Sequence, residues 1–262
     1  MRDILSDLSD AMSDPDPVRR AQIQMKAPLP KRFYKDVTVG NVSGEHAILL
    51  DGRSVKTPAK RPLTLPTRAA AERVAAEWEA QKVVIDPARM PLTRLVNTAL
   101  DGVAAELDAV FDDIVKYAGT DLLCYRADAP QSLVAAQAAK WDPVLYWAAE
   151  NLGARFILAE GVIHQEQPAA AIEAFSNALA RYRSALEIAA LHTITTLTGS
   201  ALLALAFAEG RLSEEEAWHA AHADEDWNIE QWGSDAEAEA RRAARWIEMK
   251  AAGDLFRALK PA

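Results

Sequence analysis

The residues of this chain best suited to chemistry are two histidines and two carboxylates near its C-terminus. His219 and His222 are three residues apart, and Asp224 and Glu225 follow shortly after them. Histidines at that spacing can share one face of a helix, and imidazole with carboxylate is a ligand set for zinc, which activates water for hydrolysis. Histidines exposed on an acidic helix give the same pattern without a metal. A helical metal-dependent hydrolase that uses His219 and His222 therefore stays an alternative function.

Other signals of catalysis are missing from the sequence. It contains no glycine-rich phosphate loop, no Gly-x-Ser-x-Gly nucleophile motif and no His-Glu-x-x-His zinc motif. The single cysteine, Cys124, lies in an apolar run, which predicts a buried and unreactive thiol. His192 lies in an uncharged segment, which favours a hydrogen-bonded histidine in the core. We predict that the chain is not an enzyme, and we assign no catalytic residue, no cofactor and no metal ligand.

A strongly acidic segment near the C-terminus favours an interaction surface. Between Glu209 and Glu239 the sequence has eleven acidic residues, and Arg211 is its one arginine or lysine. Three tryptophans lie in the same segment, at positions 218, 227 and 232. Tryptophans give protein interfaces their buried anchors, and carboxylates steer a basic partner toward them. A solvated helix face with its tryptophans packed into the core has the same composition, so composition alone does not decide.

Helices must position this acidic segment, because almost the whole pattern after residue 90 is helical. Apolar residues recur at three- and four-residue steps from Leu95 to Tyr117, which predicts an amphipathic helix with Gly102 as its weak point. Further helices fit residues 131–151, 169–186 and 187–208. For residues 156–163 a short hairpin stays open.

Two capping boxes predict where the last two helices begin. Ser213 is followed three residues later by Glu216, and Ser234 in the same way by Glu237. In a capping box the serine and the glutamate each accept a hydrogen bond from a free backbone N–H at the start of a helix. We therefore expect helices to start at these two serines.

The segment before these helices predicts a small antiparallel β module over residues 31–66. Apolar and polar residues alternate from Arg32 onward, and Asp51-Gly52 predicts a two-residue hairpin turn because it accommodates positive φ angles. Thr67 is a suitable N-cap for a helix that runs to about Lys82. We expect an α+β protein of two domains. Its parts are a mobile tail at 1–30, a β-rich domain with one helix at 31–90 and a helical domain at 91–262.

Length and charge limit the classes of partner. The 262 residues suffice for a proper core, and half of them are apolar. With 29 basic and 38 acidic residues the formal charge is −9, which repels nucleic acid and anionic membrane surfaces. We therefore expect no nucleic-acid partner, and a basic protein surface suits the chain better.

Two segments are informative about the cellular location of the protein. The first 27 residues include five aspartates, whereas a secretory signal needs an apolar stretch and a mitochondrial presequence is poor in acids. Residues 188–208 carry no charge and are long enough to span a bilayer, but threonines and a glycine interrupt them. A helix buried on all sides explains that segment better. We expect no membrane span, a cytoplasmic location and a bacterial source.

Short motifs along residues 31–250 resemble one known family in their order and density. The motifs are Arg32-Phe33-Tyr34-Lys35, the run from Leu50 to Leu63, Ala76-Glu77-Trp78, Met90-Pro91-Leu92-Thr93, the run from Thr120 to Arg126, Trp141-Asp142-Pro143, Asp224-Glu225-Asp226-Trp227 and Trp232-Gly233. The chain thereby resembles the ATP synthase alpha-subunit assembly chaperones, whose mitochondrial member is called ATP synthase assembly factor 2.

This resemblance implies a non-enzymatic chaperone with a small β-rich domain and a larger helical domain. It implies binding to the free alpha subunit of ATP synthase, which shields the subunit interface until beta subunits replace the chaperone. It also implies client-binding residues in the acidic C-terminal motif, namely Glu225, Asp226, Trp227, Glu230, Trp232, Asp235 and Glu237. A scaffold protein with another client stays a second alternative.

Overall fold

The computed structural model describes residues 28–160 and 165–260, and four strands near its start form an antiparallel sheet. The strands are β1 (Val37–Val42), β2 (Glu45–Leu50), β3 (Arg53–Ser54) and β4 (Thr64–Leu65). β2 is central and pairs with the other three. Asp51 and Gly52, between β2 and β3, have φ angles of 48° and 78°. The predicted hairpin turn is confirmed, because Leu50 pairs with Arg53 and positive φ at both loop residues is what a type I′ turn requires.

One helix covers this sheet. α1 (Arg68–Ala80) begins after Thr67, whose side-chain oxygen accepts the N–H of Ala70, so the predicted cap is confirmed. Ala70, Ala71 and Val74 are fully buried on the face of α1 that belongs to the core. The helix ends two residues before the predicted Lys82.

Most of the remaining chain is helical, which confirms the predicted α+β fold. The helices are α2 (Pro91–Thr98), α3 (Leu107–Gly119), α4 (Gln131–Trp147), α5 (Ala169–Leu179), α6 (Ala185–Thr198), α7 (Ala201–Ala208), α8 (Glu214–Ala221), α9 (Ala223–Trp232) and α10 (Ala236–Leu259). Short 3₁₀ turns span Pro87–Arg89 and Leu122–Cys124, and π-helical turns span Ala99–Val103 and Ala148–Leu152.

Two predicted helices are each divided in the structure. The amphipathic pattern from Leu95 to Tyr117 is interrupted by the π-helical turn that contains Gly102, and α3 begins only at Leu107. The segment predicted as one helix over 187–208 breaks at Gly199, whose φ is 68°. Ser200 then caps α7 by accepting the N–H of Leu203. Glycine in a left-handed conformation followed by a capping serine ends one helix and starts the next.

The uncharged segment forms the centre of the helical core. Every residue of α7 is buried, and α6 packs against α3, α7 and α10. Within the described ranges, no helix is long and apolar enough to cross a membrane. Ala159–Glu160 forms a strand, β6, that pairs in parallel with β5 (Tyr125–Arg126). The pairing partner of β6 therefore lies outside the segment 156–163, for which a hairpin was one possibility. Residues 161–164 lie outside the described ranges.

Polar contacts join the β module to the helices. Thr57 donates from its hydroxyl to Asp101 Oδ1 at 2.7 Å, and the backbone N–H of Ala59 donates to Asp101 Oδ2 at 2.9 Å. On another side, the hydroxyl of Thr67 donates to the carbonyl of Ala258 at 2.6 Å. The division into residues 31–90 and 91–262 stays a prediction, and these contacts cross it.

Candidate protein-binding surface

Helix α9 carries five of the seven residues predicted to bind a client, and α4 holds it in place. Trp141 on α4 is buried, and its Nε1 donates to the carbonyl of Ala220 at 2.7 Å, just before α9 begins. The amide of Gln137 donates to Asp224 at 2.8 Å, while its oxygen accepts the N–H of Ala127 at 2.9 Å. These bonds fix the start of α9 against α4.

Asp226 is committed to internal ion pairs. Lys140 Nζ lies 3.0 Å from Asp226 Oδ2, and the guanidinium of Arg242 donates to Oδ1. Burial alone would raise the pKa of Asp226, but the hydrogen bonds from Arg242 and Lys140 outweigh it and lower the pKa below its ordinary value. The carboxylate therefore links α4, α9 and α10, and two cations already neutralise it.

The two histidines considered as metal ligands have separate environments. His222 is buried against the ring of Trp218, with Nδ1 at 2.8 Å from the carbonyl of Trp218, and burial lowers the pKa of His222. The side chain of His219 is 64% exposed, and its Nδ1 lies 3.7 Å from Asp226. Among the residues that the structure describes, no group of three or more His, Cys, Asp or Glu side chains is arranged to hold a metal ion. The hydrolase alternative thus gains no support from the geometry.

The exposed residues in the second half of α9 include Glu230 and Trp232, and Trp227 lies beside them. Trp232 is 74% exposed, and Trp227 packs edge-on against it with ring centroids 5.4 Å apart. Trp227 is partly buried, and its Nε1 donates to the hydroxyl of Ser132 at 3.2 Å. Glu230 is exposed and forms no hydrogen bond or ion pair with any described residue. Its charge is therefore available to a partner.

The start of α10 differs from the predicted capping box by one residue. Asp235 is the N-cap and accepts the N–H of Ala238 at 2.9 Å, so Ser234 lies before the cap. Glu237 pairs with Arg241 four residues later and does not complete a capping box. Aspartate caps helices as well as serine does, and the sequence offered both. At α8 the predicted capping box of Ser213 and Glu216 is confirmed.

The carboxylates of the acidic segment fall into two groups, those with internal partners and those without. Most of its carboxylates have internal partners: Glu209 pairs with Arg181, Glu214 with Arg257, Glu216 and Asp235 cap helices, Asp224 accepts from Gln137, and Asp226 is paired as above. Glu215, Glu230 and Glu239 are exposed and without a partner among the described residues. Sequence reasoning missed this division, because the partners of Glu209, Glu214, Asp224 and Asp226 lie far away along the chain.

A cleft of about 540 Å³ lies between α9 and the first half of α10. Its apolar lining comes from Trp218, Ile229, Trp232, Ala238, Ala243 and Trp246. Its charged lining comes from Glu225, Asp235, Glu239 and Arg242. Nothing in the sequence pattern indicated this cleft, because it depends on how the two helices diverge after Gly233. It brings two of the predicted acids, Glu225 and Asp235, to the same opening as Trp232.

The motifs along the rest of the chain mainly hold elements together. Arg126 forms an ion pair with Asp142 at 2.7 Å, which joins β5 to α4. Tyr34 donates from its hydroxyl to the carbonyl of Trp78 at 2.7 Å, which joins the segment before β1 to the end of α1. Cys124 is fully buried, as predicted, and burial raises the pKa of its thiol to about 12. These residues therefore contribute more to the stability of the fold than to the candidate binding surface.

Comparisons with known proteins agree along nearly the whole chain. The family model described as ATP12 chaperone protein matches residues 31–149. The crystal structure of the Atu1473 protein, a putative chaperone from Agrobacterium tumefaciens, is 58% identical with a TM-score of 0.88, covering 98% of this chain and 96% of that one. The crystal structure of Atp12 from Paracoccus denitrificans is 41% identical with a TM-score of 0.83, covering 88% of this chain and 99% of that one. A point mutant of the Paracoccus protein matches with a TM-score of 0.82.

Proposed function

The chain belongs to the ATP12 chaperone family, and from this premise we propose that it assists ATP synthase assembly by binding the free alpha subunit. It covers the surface that beta subunits later occupy, and it acts without catalysis, in the cytoplasm of a bacterium. The observation that carries the proposal is identity of 58% and 41% to family structures over nearly their whole length.

The physical demands on such a chaperone suit the surface of α9 and α10. An unassembled subunit interface is a large apolar patch with charged borders, which aggregates unless it is covered. A chaperone must also release its client, which favours a steered polar contact with few apolar anchors over an extended hydrophobic interface. The exposed Trp232 and the unpaired Glu230 offer that combination.

Within this proposal the seven predicted residues take two roles. Glu230 and Trp232 face the client, with Trp227 packed behind Trp232. Glu225 and Glu237 face it as well, because their ion pairs with Arg242 and Arg241 leave the carboxylates accessible to solvent. Asp226 and Asp235 act by holding α9 and α10 in position, through the ion pairs of Asp226 with Lys140 and Arg242 and the cap that Asp235 gives to α10.

The test is capture of the client by the tagged chain in the host organism or by co-expression. Alpha and beta subunits are each expressed alone with the chain, and the captured protein is identified by mass spectrometry. We expect the alpha subunit to be retained and the beta subunit to be lost on washing. Retention of neither subunit would overturn the proposal, and retention of another protein at equal stoichiometry would support the scaffold alternative.

A further inference from the structure

The cleft between α9 and α10 has the shape of a pocket for a side chain. Gly233, with φ of 85°, separates the two helices, and the space between them measures about 540 Å³. That volume is in the range of clefts that bind small molecules or single anchoring groups. Trp218 is nearly fully buried and stacks near Trp246, with ring centroids 5.4 Å apart. These two rings give the cleft an apolar base.

Both walls of the cleft leave apolar surface open to solvent. On the α10 side the lining residues Ala238 and Ala243 are small, so they fill little of the space. On the α9 side Trp232 is 74% exposed, whereas Trp141 in the core is 1% exposed. An exposed indole does not gain the free energy that burial of tryptophan contributes to a fold. Tryptophan is enriched near the centre of protein interfaces.

The charge around the cleft is negative. Its lining includes Glu225, Asp235 and Glu239, against Arg242 as its basic residue. The guanidinium of Arg242 is bound to Asp226 and lies 4.0 Å from Glu225, so it leaves Asp235 and Glu239 unneutralised.

The neighbouring arginines of α10 are also occupied. Arg241 pairs with Glu237, and Arg245 donates to the carbonyl of Leu197 at 2.5 Å. Asp235 and Glu239 at the rim thus have no cationic partner among the described residues. A ligand with positive charge on both sides of an apolar group is complementary to this opening.

We propose that this cleft binds one large apolar side chain of the client, flanked in the client sequence by lysine or arginine. This inference rests on the proposed function, since it takes the alpha subunit as the client. The side chain packs on Trp218, Trp232 and Trp246, and the flanking cations face Asp235 and Glu239. The ammonium or guanidinium groups bring specificity and fast association, while the indole rings supply the affinity.

The test uses short overlapping peptides from the alpha subunit, labelled with a fluorophore and titrated with the full chain while anisotropy is measured. We expect binding by peptides in which an aromatic or large aliphatic residue has Lys or Arg on each side. Trp232→Ala should weaken that binding by at least about tenfold, the loss typical of an interface anchor. Ala243→Arg, which fills the cleft and adds a positive charge to it, should abolish it.

The matched control is Tyr146→Ala, which removes another exposed aromatic residue, 69% exposed, on α4 outside the cleft lining. This variant should bind the peptides like the original chain. All three positions are exposed, so melting temperatures should stay unchanged and the comparison reports binding.

The outcomes separate the cleft from the proposed function. Unchanged peptide affinity in both cleft variants overturns the cleft inference, even where the intact alpha subunit is still captured. Equal binding of peptides whose Lys and Arg are replaced by Glu overturns the assignment of a basic ligand. Failure of the original chain to capture the intact alpha subunit, with peptide binding retained, contradicts the proposed function and leaves the cleft as a site for basic apolar segments.

Discussion

Among single residues, Asp121 shows how a carboxylate can organise the core without any part in binding. It is fully buried and accepts hydrogen bonds from the hydroxyl of Ser200 at 2.7 Å and from the N–H groups of Leu202 and Leu123 at 2.9 and 3.0 Å. It therefore joins the 3₁₀ turn at Leu122 to the start of α7. Burial raises the pKa of Asp121 to about 6, despite these hydrogen bonds.

The raised pKa of Asp121 predicts how stability depends on pH. The folded state holds this proton more tightly than the unfolded state, so the group stabilises the fold below about pH 4, and that contribution is lost as the pH rises through about 6. In Asp121→Asn the group cannot titrate. Urea unfolding from about pH 4 to 7 should show the free energy of unfolding of the original chain falling relative to the variant, by about 2 kcal/mol. A difference that is constant, or that rises with pH, would contradict this assignment.

Glu230 is the residue whose charge should matter for the client alone. Because it is exposed and unpaired among the described residues, Glu230→Lys should melt like the original chain. It should slow association with the alpha subunit and flatten its salt dependence, since steering by exposed charges is screened by salt. Surface plasmon resonance at two or more ionic strengths measures both effects.

Glu215→Lys is the matched control for this charge reversal. Glu215 lies on α8, is exposed and has no partner within the described ranges, so the change in net charge is the same. An equal effect of both variants would show that only the net charge matters. Full binding by Glu230→Lys, with unchanged salt dependence, would place the client-binding surface elsewhere.

Among elements, the contact of α1 with α2 depends on one half-buried glutamate. Glu77 accepts the N–H groups of Leu92 and Thr93 at 2.8 and 2.7 Å, and the hydroxyl of Thr93 at 2.7 Å. Since α2 begins at Pro91, this side chain of α1 caps its neighbour from outside. Glu77→Ala leaves these donors unpaired and should cost about 2–4 kcal/mol of stability.

Glu72→Ala tests whether the stability lost in Glu77→Ala comes from the loss of the cap on α2. Glu72 lies on the same helix but is exposed and pairs only with Arg68 at 2.7 Å, so its loss should cost under about 0.5 kcal/mol. Chemical denaturation of the two variants measures the difference. Similar small losses would mean that α2 starts without help from Glu77.

The sequence predicted the existence of most elements better than their limits. The turn at Asp51-Gly52 and the caps at Thr67 and Ser213 follow from local residue types, and all are confirmed. The break at Gly199 was missed because apolar residues continue on both sides of it. The spacing of apolar residues indicates which residues face the core, but it does not indicate where a helix changes direction within the core.

The candidate surface was only partly predictable for a related reason. The acidic composition and the tryptophans were visible in the sequence, but the partners of Asp226 were not, since Lys140 lies 86 residues earlier. The cleft also depends on the divergence of α9 and α10, which no local pattern encodes. Tertiary structure therefore decides which acids stabilise the fold and which remain available to a client.

For the whole molecule, the proposed function requires that the chaperone bind the alpha subunit and release it to the beta subunit. A small steered interface with a few aromatic anchors can exchange in this way, whereas an extended hydrophobic one would hold the client. The many contacts that lock α4, α9 and α10 together mean that the surface needs no large rearrangement before it binds.

The most direct measurement follows the aggregation of purified alpha subunit by light scattering, with and without equimolar chain, and then on addition of beta subunit. We predict that the chain suppresses scattering by forming a complex that gel filtration resolves, and that added beta subunit releases the chain as alpha and beta assemble. Unchanged aggregation of the alpha subunit, with no complex on gel filtration, would contradict the account.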